Sequence, residues 1–428
     1  MTTPASVKPQ IASWRAVEAL RAGVPNSDAV QALGCSHPLV EQRFRSMLAD
    51  IDLGFSRGEG TQGVLLAGDF GSGKSHLLEY FQHIALENNF VCSKVVVSKE
   101  TPLYGPSKVY AAAVQAAKVP NRSGTILAAI SEELDFESPE YEDFYRWLFS
   151  SRTVLNSRFA ASTFVFERGS GGRYPDVSDR ILQFWAGARV PATELRSWLK
   201  ELGEVAAYKF EKVSELELSL QRYEFMSRLI RATGYAGWVI LVDEVELIGR
   251  YSVMQRANSY AEMSRLLGLS EDDRTPGLST VFAITSAYQS EVMDQKQDEE
   301  IIPLKLRNRG KPGDEQLSEK AKLVMRKIRE LPLENMILAE NSDLRQIHEK
   351  SRVMYHQAYD WNPPEDYETN PTWRIRQHLK RWINAWDLVR LYPDYQPDIQ
   401  VSGLRQSYSE DLDLEDPWDE EGEDPGVR

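Results

Sequence analysis

The run Gly68-Asp69-Phe70-Gly71-Ser72-Gly73-Lys74-Ser75 constrains this chain more than any other stretch. It has the P-loop spacing G-x-x-x-x-G-K-S/T, in the context that spacing requires. Val64-Leu65-Leu66-Ala67 ahead of it reads as a short buried strand, and His76 to Phe81 after it as a helix start. A strand must therefore turn sharply into a helix. Glycines let successive backbone N–H groups face an anion with no Cβ in the way. The helix points its positive end at the same place. The motif assigns Gly68, Asp69, Phe70, Gly71, Ser72, Gly73, Lys74, Ser75 and His76 to a nucleoside triphosphate. Lys74 is expected to bridge the β- and γ-phosphates, and the Ser75 hydroxyl to ligate Mg²⁺.

A second segment supports the first. Gly237-Trp238-Val239-Ile240-Leu241-Val242 is an unbroken apolar run ending in Asp243 and Glu244, as in a strand buried on both faces of a parallel sheet. Its carboxyl end lies where open α/β sheets place ligands. Asp243 is expected to hold Mg²⁺ through a water, and Glu244 to act as the general base toward the attacking water. Glu246 reads as structural or as a water ligand.

Strand and helix patterns alternate around these two segments. Strand candidates are Gly63–Gly68, Val91–Ser98, Gly237–Glu244 and Ser279–Ala287, with a weaker fifth near Val324–Leu333. Such alternation predicts right-handed crossovers and a mostly parallel α/β sheet. Residues 1–50 form an N-terminal helical segment broken at Gly23-Val24-Pro25-Asn26. More than a hundred residues separate the second and third strands, and about 120–225 reads as a helical insertion. Glu167 to Pro175 within it reads as a flexible surface turn. The core spans 51–335, and 336–397 is again helical. There Ile375, Leu379, Trp382, Ile383 and Trp386 form an apolar stripe read as a core face.

Composition narrows the class. No run of 18 apolar residues occurs, and Met1 to Ser6 lacks the layout of a signal peptide. Cys35 and Cys92 have no metal-ligand spacing and read as reduced thiols of a cytoplasmic protein. The six histidines show no zinc pattern. Of the net charge of −14, nine units lie from Tyr408 onward, where ten acids face only Arg428. The tail 398–428 is therefore expected to be acidic and disordered.

These residues resemble an AAA+ P-loop ATPase, with the two motifs as its Walker A and Walker B. The resemblance implies a parallel five-stranded sheet in the order 5-1-4-3-2, the helical insertion and a C-terminal helical lid. It implies that Thr285, or failing that Ser286, orients the attacking water. It places the lid arginine that contacts the γ-phosphate at Arg374, with Arg376 next. The plainer reading of both is the solvated face of an amphipathic helix. Arginine-finger candidates are Arg307, Arg309, Arg250 and Arg256. The basic stretch holding Lys305, Arg307, Arg309 and Lys311 is alternatively a DNA-phosphate contact or simply a solvated loop.

More narrowly, the chain is similar to the BrxD family of ATP-binding proteins from BREX phage-defence systems. Arg15 to Asn26, Ala67 to Tyr80, Ser98-Lys99-Glu100-Thr101-Pro102-Leu103-Tyr104 and Asp243 to Glu246 carry that likeness. It implies ATP and Mg²⁺ as cofactors, other BREX proteins as partners, and a nucleotide-dependent homo-oligomer without membrane attachment. The leading expectation is an ATP-hydrolysing, DNA-associated machine or loader. A nucleotide-gated switch with little turnover is the alternative, and a small-molecule kinase a weaker third.

Overall fold

The structure is a computed structural model. It describes residues 7–24, 26–150, 155–169, 175–204, 207–330, 341–365, 367, 369–370, 373–394, 408–411 and 414.

Five strands form one sheet: β1 (Val64–Ala67), β2 (Phe90–Val96), β3 (Ala117–Lys118), β4 (Gly237–Asp243) and β5 (Leu278–Ile284). Their spatial order is β1-β5-β4-β2-β3. The first four pair in parallel, with Val64 opposite Val281, Trp238 opposite Leu278 and Phe90 opposite Gly237. Every residue of β1, β4 and β5 is buried. Successive side chains point to opposite faces. Val64, Leu66, Val239, Leu241 and Val281 thus enter one core, while Leu65, Ala67, Trp238, Ile240 and Phe282 enter another. This two-sided burial is why these strands read as continuous apolar runs.

The all-parallel order 5-1-4-3-2 is not what forms. No fifth strand lies beside β1 among the described residues. The fifth member is β3, two residues long, antiparallel to β2 at the opposite edge. The candidate strand at Val324–Leu333 is helical as far as Arg329, and Leu331–Leu333 lie outside the described residues. The helix has a physical reason. Ala321, Val324, Met325 and Ile328 recur at helical spacing and are buried together. Acids open that helix and bases close it, matching its dipole.

Sixteen helices surround the sheet among the described residues. The first are α1 (Val7–Ala22), α2 (Ser27–Leu33), α3 (Pro38–Phe55), α4 (Lys74–Glu87) and α5 (Pro106–Gln115). Then come α6 (Ile126–Glu133), α7 (Pro139–Leu148), α8 (Ser157–Gly169), α9 (Pro175–Trp185), α10 (Ala192–Glu201) and α11 (Glu215–Ala232). The last are α12 (Val253–Leu266), α13 (Asp298–Arg309), α14 (Asp314–Arg329), α15 (Asn341–Tyr359) and α16 (Ile375–Leu391). Helices α3 and α4 cover one face, where Phe44 and Phe81 stack at 4.1 Å. The opposite face takes α5, α11 and α12. Helices α6–α10 share this core through Ile130, Phe144, Phe159, Phe166, Trp185 and Leu195.

The first fifty residues do not act as one unit. Gly23, at φ 73°, ends α1, and the Asn26 side chain caps α2 by accepting from the Ala29 N–H. Helices α1 and α2 then join α15 and α16 in a third core of Ala16, Val17, Leu20, Leu33, Tyr355, Trp382 and Trp386. The ion pair between Arg21 and Asp387, at 2.8 Å, ties its ends together. Helix α3 alone stays with the sheet.

The expectation of a disordered acidic tail needs correction for one stretch. Tyr408 and Leu414 pack against the main core. Glu410 pairs with Arg256 at 3.0 Å, and the Leu414 carbonyl accepts from Tyr104 Oη and Gln255 Nε2. Two apolar anchors and a buried arginine partner supply what composition alone does not reveal.

Candidate functional site

The P-loop turns as its glycines permit. The Gly68 N–H donates to the Ile284 carbonyl at 3.1 Å, fixing the loop's start to the end of β5. Gly71 and Gly73 adopt φ of 80° and 104°, where a Cβ would be strained. Gly73 then leads into α4, whose first amides have no intrahelical acceptor. The Ser72 hydroxyl is buried beside them with no partner.

Lys74 is buried at the floor. Its Nζ donates to the Gly68 carbonyl at 2.8 Å and lies 3.6 Å from Glu246 Oε1. Across from it, β4 ends at buried Asp243, whose Oδ1 accepts the Glu244 N–H at 3.0 Å. Glu244 takes φ 58°, so the chain reverses abruptly and holds two successive carboxylates at one place. Burial raises the Glu244 pKa; Glu246 and Asp243 add to this, while Lys74 and Arg376 oppose it. Burial raises Glu246 as well, against the pull of Lys74. Glu244 and Glu246 thus share one lysine.

Arg374 and Arg376, at the start of α16, come down on the same loop. Arg374 caps the start of α16 and forms an ion pair with Asp69. The Arg376 guanidinium lies 5.6 Å from the centre of the Phe70 ring, and its backbone N–H donates to the Gly71 carbonyl at 3.4 Å. Thr285 is buried just beyond β5. The next hydroxyl, Ser286, donates to Asp69. Asp69 therefore meets the strand end with one oxygen and the start of α16 with the other.

A cleft of about 360 Å³ opens beside these groups; Lys74, Glu244, Glu246 and Arg376 line it, whereas Asp69, Asp243, Thr285, Ser286 and Arg374 do not. Phe70 to Leu77, Glu244, Glu246 and Arg376 line one side. Leu20, Val24, Leu33, Ile347 and Leu379 line the other. The sequence reading missed this second wall, because its residues carry no motif and meet only through packing. His76 is a partial exception. It lines the cleft, yet its Nε2 meets the Gly34 carbonyl at 2.8 Å, and burial lowers its pKa. Its ring ties α4 to the end of α2.

Several candidates lie elsewhere. Arg256 is 1% exposed and bound to Asp298 at 2.8 Å as well as to Glu410, so it is structural and not a finger. The basic stretch is no loop: Lys305, Arg307 and Arg309 belong to α13, with Pro303 inside it, and Lys311 follows. Arg309 is ion-paired with Asp314. None of these four, nor Arg250, lines the cleft.

The donor set suits a magnesium nucleotide. Unsatisfied helix amides, a lysine and a buried partnerless hydroxyl fit phosphate oxygens. Ser75 and Asp243 suit a metal that keeps most ligands as water and phosphate. No group of three or more His, Cys, Asp or Glu side chains could hold a metal unaided among the described residues.

A family model described as BREX system ATP-binding protein BrxC/D matches residues 12–134 and 217–403. Both motif segments, α15 and α16 fall inside those ranges. The unmatched interval holds α7–α10. No curated protein and no solved structure matches the chain.

Proposed function

This chain belongs to the BrxC/D family of BREX system ATP-binding proteins, and from that premise we propose that it is a magnesium-dependent ATPase of AAA+ type. One observation carries the reading. Lys74, Glu244 and Arg376 line one cleft from three separate stretches of chain, with Asp243 and Arg374 beside them in sequence.

The loop amides and Lys74 bind and orient the phosphates. Ser75 and Asp243 would hold the metal, which would supply positive charge to neutralise the phosphates. Glu244 accepts a proton from water at its carboxylate, and Thr285 orients that water. Its raised pKa makes it a stronger base than an exposed glutamate, while Lys74 and Arg376 favour the ionised form. Arg376 places positive charge in the cleft, and Arg374, held to the loop by Asp69, is the candidate contact for the γ-phosphate. The apolar wall of Leu20, Leu33, Ile347 and Leu379 excludes water and receives the base.

In this reading the protein acts in the cytoplasm with other BREX proteins as a DNA-associated machine or loader. It assembles as a nucleotide-dependent homo-oligomer without membrane attachment. A neighbouring copy supplies the finger, from Arg307, Arg309 or Arg250. Exposed Lys305, Arg307 and Lys311 are the DNA-contact candidates, with Arg309 beside them. Among the described residues no helix is long and apolar enough to cross a membrane.

The test is phosphate release from ATP and Mg²⁺, alone and with partner proteins and DNA, by wild type, Lys74→Ala and Glu244→Gln. Turnover by wild type only supports the ATPase. Wild-type release at the Lys74→Ala level contradicts it. Such a result with nucleotide-dependent assembly retained selects the switch, a reading favoured by the pairing of Lys74 and Arg374 with carboxylates.

A further inference from the structure

We propose that Asp69 is a positioning residue: its side chain aims the Arg374 guanidinium at the terminal phosphate and thereby makes the cleft prefer triphosphate over diphosphate. This rests on reading the cleft as a nucleoside-triphosphate site.

A carboxylate in the first variable position of a phosphate-binding loop is unfavourable on charge alone. It repels the anion that the loop exists to hold. An acid there is tolerable where its charge is matched, and the structure shows how. One oxygen accepts from the Ser286 hydroxyl and the other pairs with Arg374. Both partners come from outside the loop, 217 residues away for Ser286. Ser286 stands at the end of β5, and Arg374 is the N-cap of α16. Asp69 is thus a three-way junction between the loop, the end of β5 and the helical wall.

The junction is geometrically narrow. A Cβ placed on Gly71 would lie 3.5 Å from Arg374 Cβ and 3.6 Å from Arg376 Cβ, in ordinary van der Waals contact, so the start of α16 stands about one methyl group from the loop. The Gly71 carbonyl takes the Arg376 N–H, which fixes the height of α16 over the loop. Backbone contact sets where α16 sits but not where the long Arg374 side chain points. Guanidinium is planar and has five donors, so one carboxylate oxygen can fix its plane and leave the other donors for phosphate. Asp69 supplies that oxygen, and Ser286 holds the carboxylate in place. The same contact makes lid position depend on Asp69 when no phosphate engages Arg374.

A diphosphate ends before the position Arg374 serves. Loss of Asp69 should therefore weaken triphosphate selectively, while removal of a negative charge leaves diphosphate affinity unchanged or improved. General electrostatics predicts the opposite ordering, because the more highly charged ligand would gain most.

The experiment measures equilibrium affinity for a non-hydrolysable ATP analogue and for ADP, both with Mg²⁺. Wild type, Asp69→Asn, Arg374→Ala and the double variant are compared. Amide hydrogen exchange over residues 375–379 is followed without nucleotide. Asp69→Asn should lower the triphosphate-over-diphosphate preference about fivefold. Arg374→Ala should lower it at least as much, and the double variant no further than Arg374→Ala alone. Exchange at the start of α16 should quicken in both single variants. An unchanged or increased preference in Asp69→Asn overturns the proposal, as does full additivity with Arg374→Ala. If wild type itself binds neither nucleotide, the triphosphate reading fails and this proposal with it. Wild-type preference that Asp69→Asn keeps overturns this proposal alone.

Discussion

On its sheet side the cleft is lined by Phe70 to Leu77, in the loop after β1 and the first turn of α4, and by Glu244 and Glu246 just after β4. On its helical side it is lined by Leu20, Val24 and Leu33 from the N-terminal helices and by Ile347 and Leu379 from α15 and α16. The first wall is charged and held by strand pairing and tight turns. The second is largely apolar, with Asp343, Gln346 and Lys350 of α15 also lining it, and is held by contacts between segments as far apart as Arg21 and Asp387, 366 residues along the chain. Chemistry and the grip on phosphate should therefore depend on the first wall, and binding of the base and the stability of the α1, α2, α15 and α16 packing on the second.

The largest expected effect tests the sheet wall. Glu244→Gln keeps the shape of the side chain but removes the base. Turnover should fall about 10²- to 10⁴-fold while nucleotide binding persists, as single-turnover phosphate release and equilibrium titration would show. Equal loss of binding would mean that Glu244 holds the ligand and does not act on water.

The helical wall is tested next. Trp382 is 3% exposed and its ring meets those of His348, Tyr367 and His378. Trp382→Ala should destabilise that body by about 3–5 kcal/mol. Denaturant unfolding should then show an early transition for α1, α2, α15 and α16, with the sheet transition in place. One unshifted transition would contradict the division into two bodies.

A smaller effect should come from Arg21→Ala. Its pair with Asp387 is partly exposed, with side chains 28% and 18% accessible, so the loss should be about 1 kcal/mol. Nucleotide affinity should weaken a few-fold with turnover at saturation unchanged. A matching drop in saturated turnover would show that the helical wall also enters the chemistry.

The smallest expected effect is a pH dependence confined to the sheet wall. Burial, with Glu246 and Asp243 beside it, holds the Glu244 pKa above the ordinary carboxylate range. Between the ordinary and raised values the folded chain binds more protons than the unfolded one, so stability falls as pH rises through that window. The penalty is complete above the raised value. Glu244→Gln should therefore be more stable than wild type near neutral pH, the gap closing as pH falls to the ordinary range. Denaturation midpoints across pH would check this, and a constant gap would contradict it.

How much of this was legible follows the same division. Gly68–Ser75 and Val239–Glu244 announce themselves because local chain chemistry dictates their shape. Arg374 and Arg376 were legible only through resemblance, since nothing about an amphipathic helix start says what it will touch. Leu20, Leu33 and Ile347 were not legible as site residues, because each is an ordinary core position until α1 and α15 pack. The false fifth strand arose where Leu323, Val324 and Met325 lie in a row. A short apolar run does not distinguish a strand from the buried stripe of a helix. Tyr408 and Leu414 were hidden by the acids around them.

The central claim is that one cleft grips a metal-bound triphosphate through Lys74 and the loop amides. Isothermal titration of the full chain with ATP and Mg²⁺ tests it most directly. Wild type and Glu244→Gln should both bind at one site per chain, and Lys74→Ala should lose that binding. No binding by wild type, or equal binding by Lys74→Ala, would contradict the account.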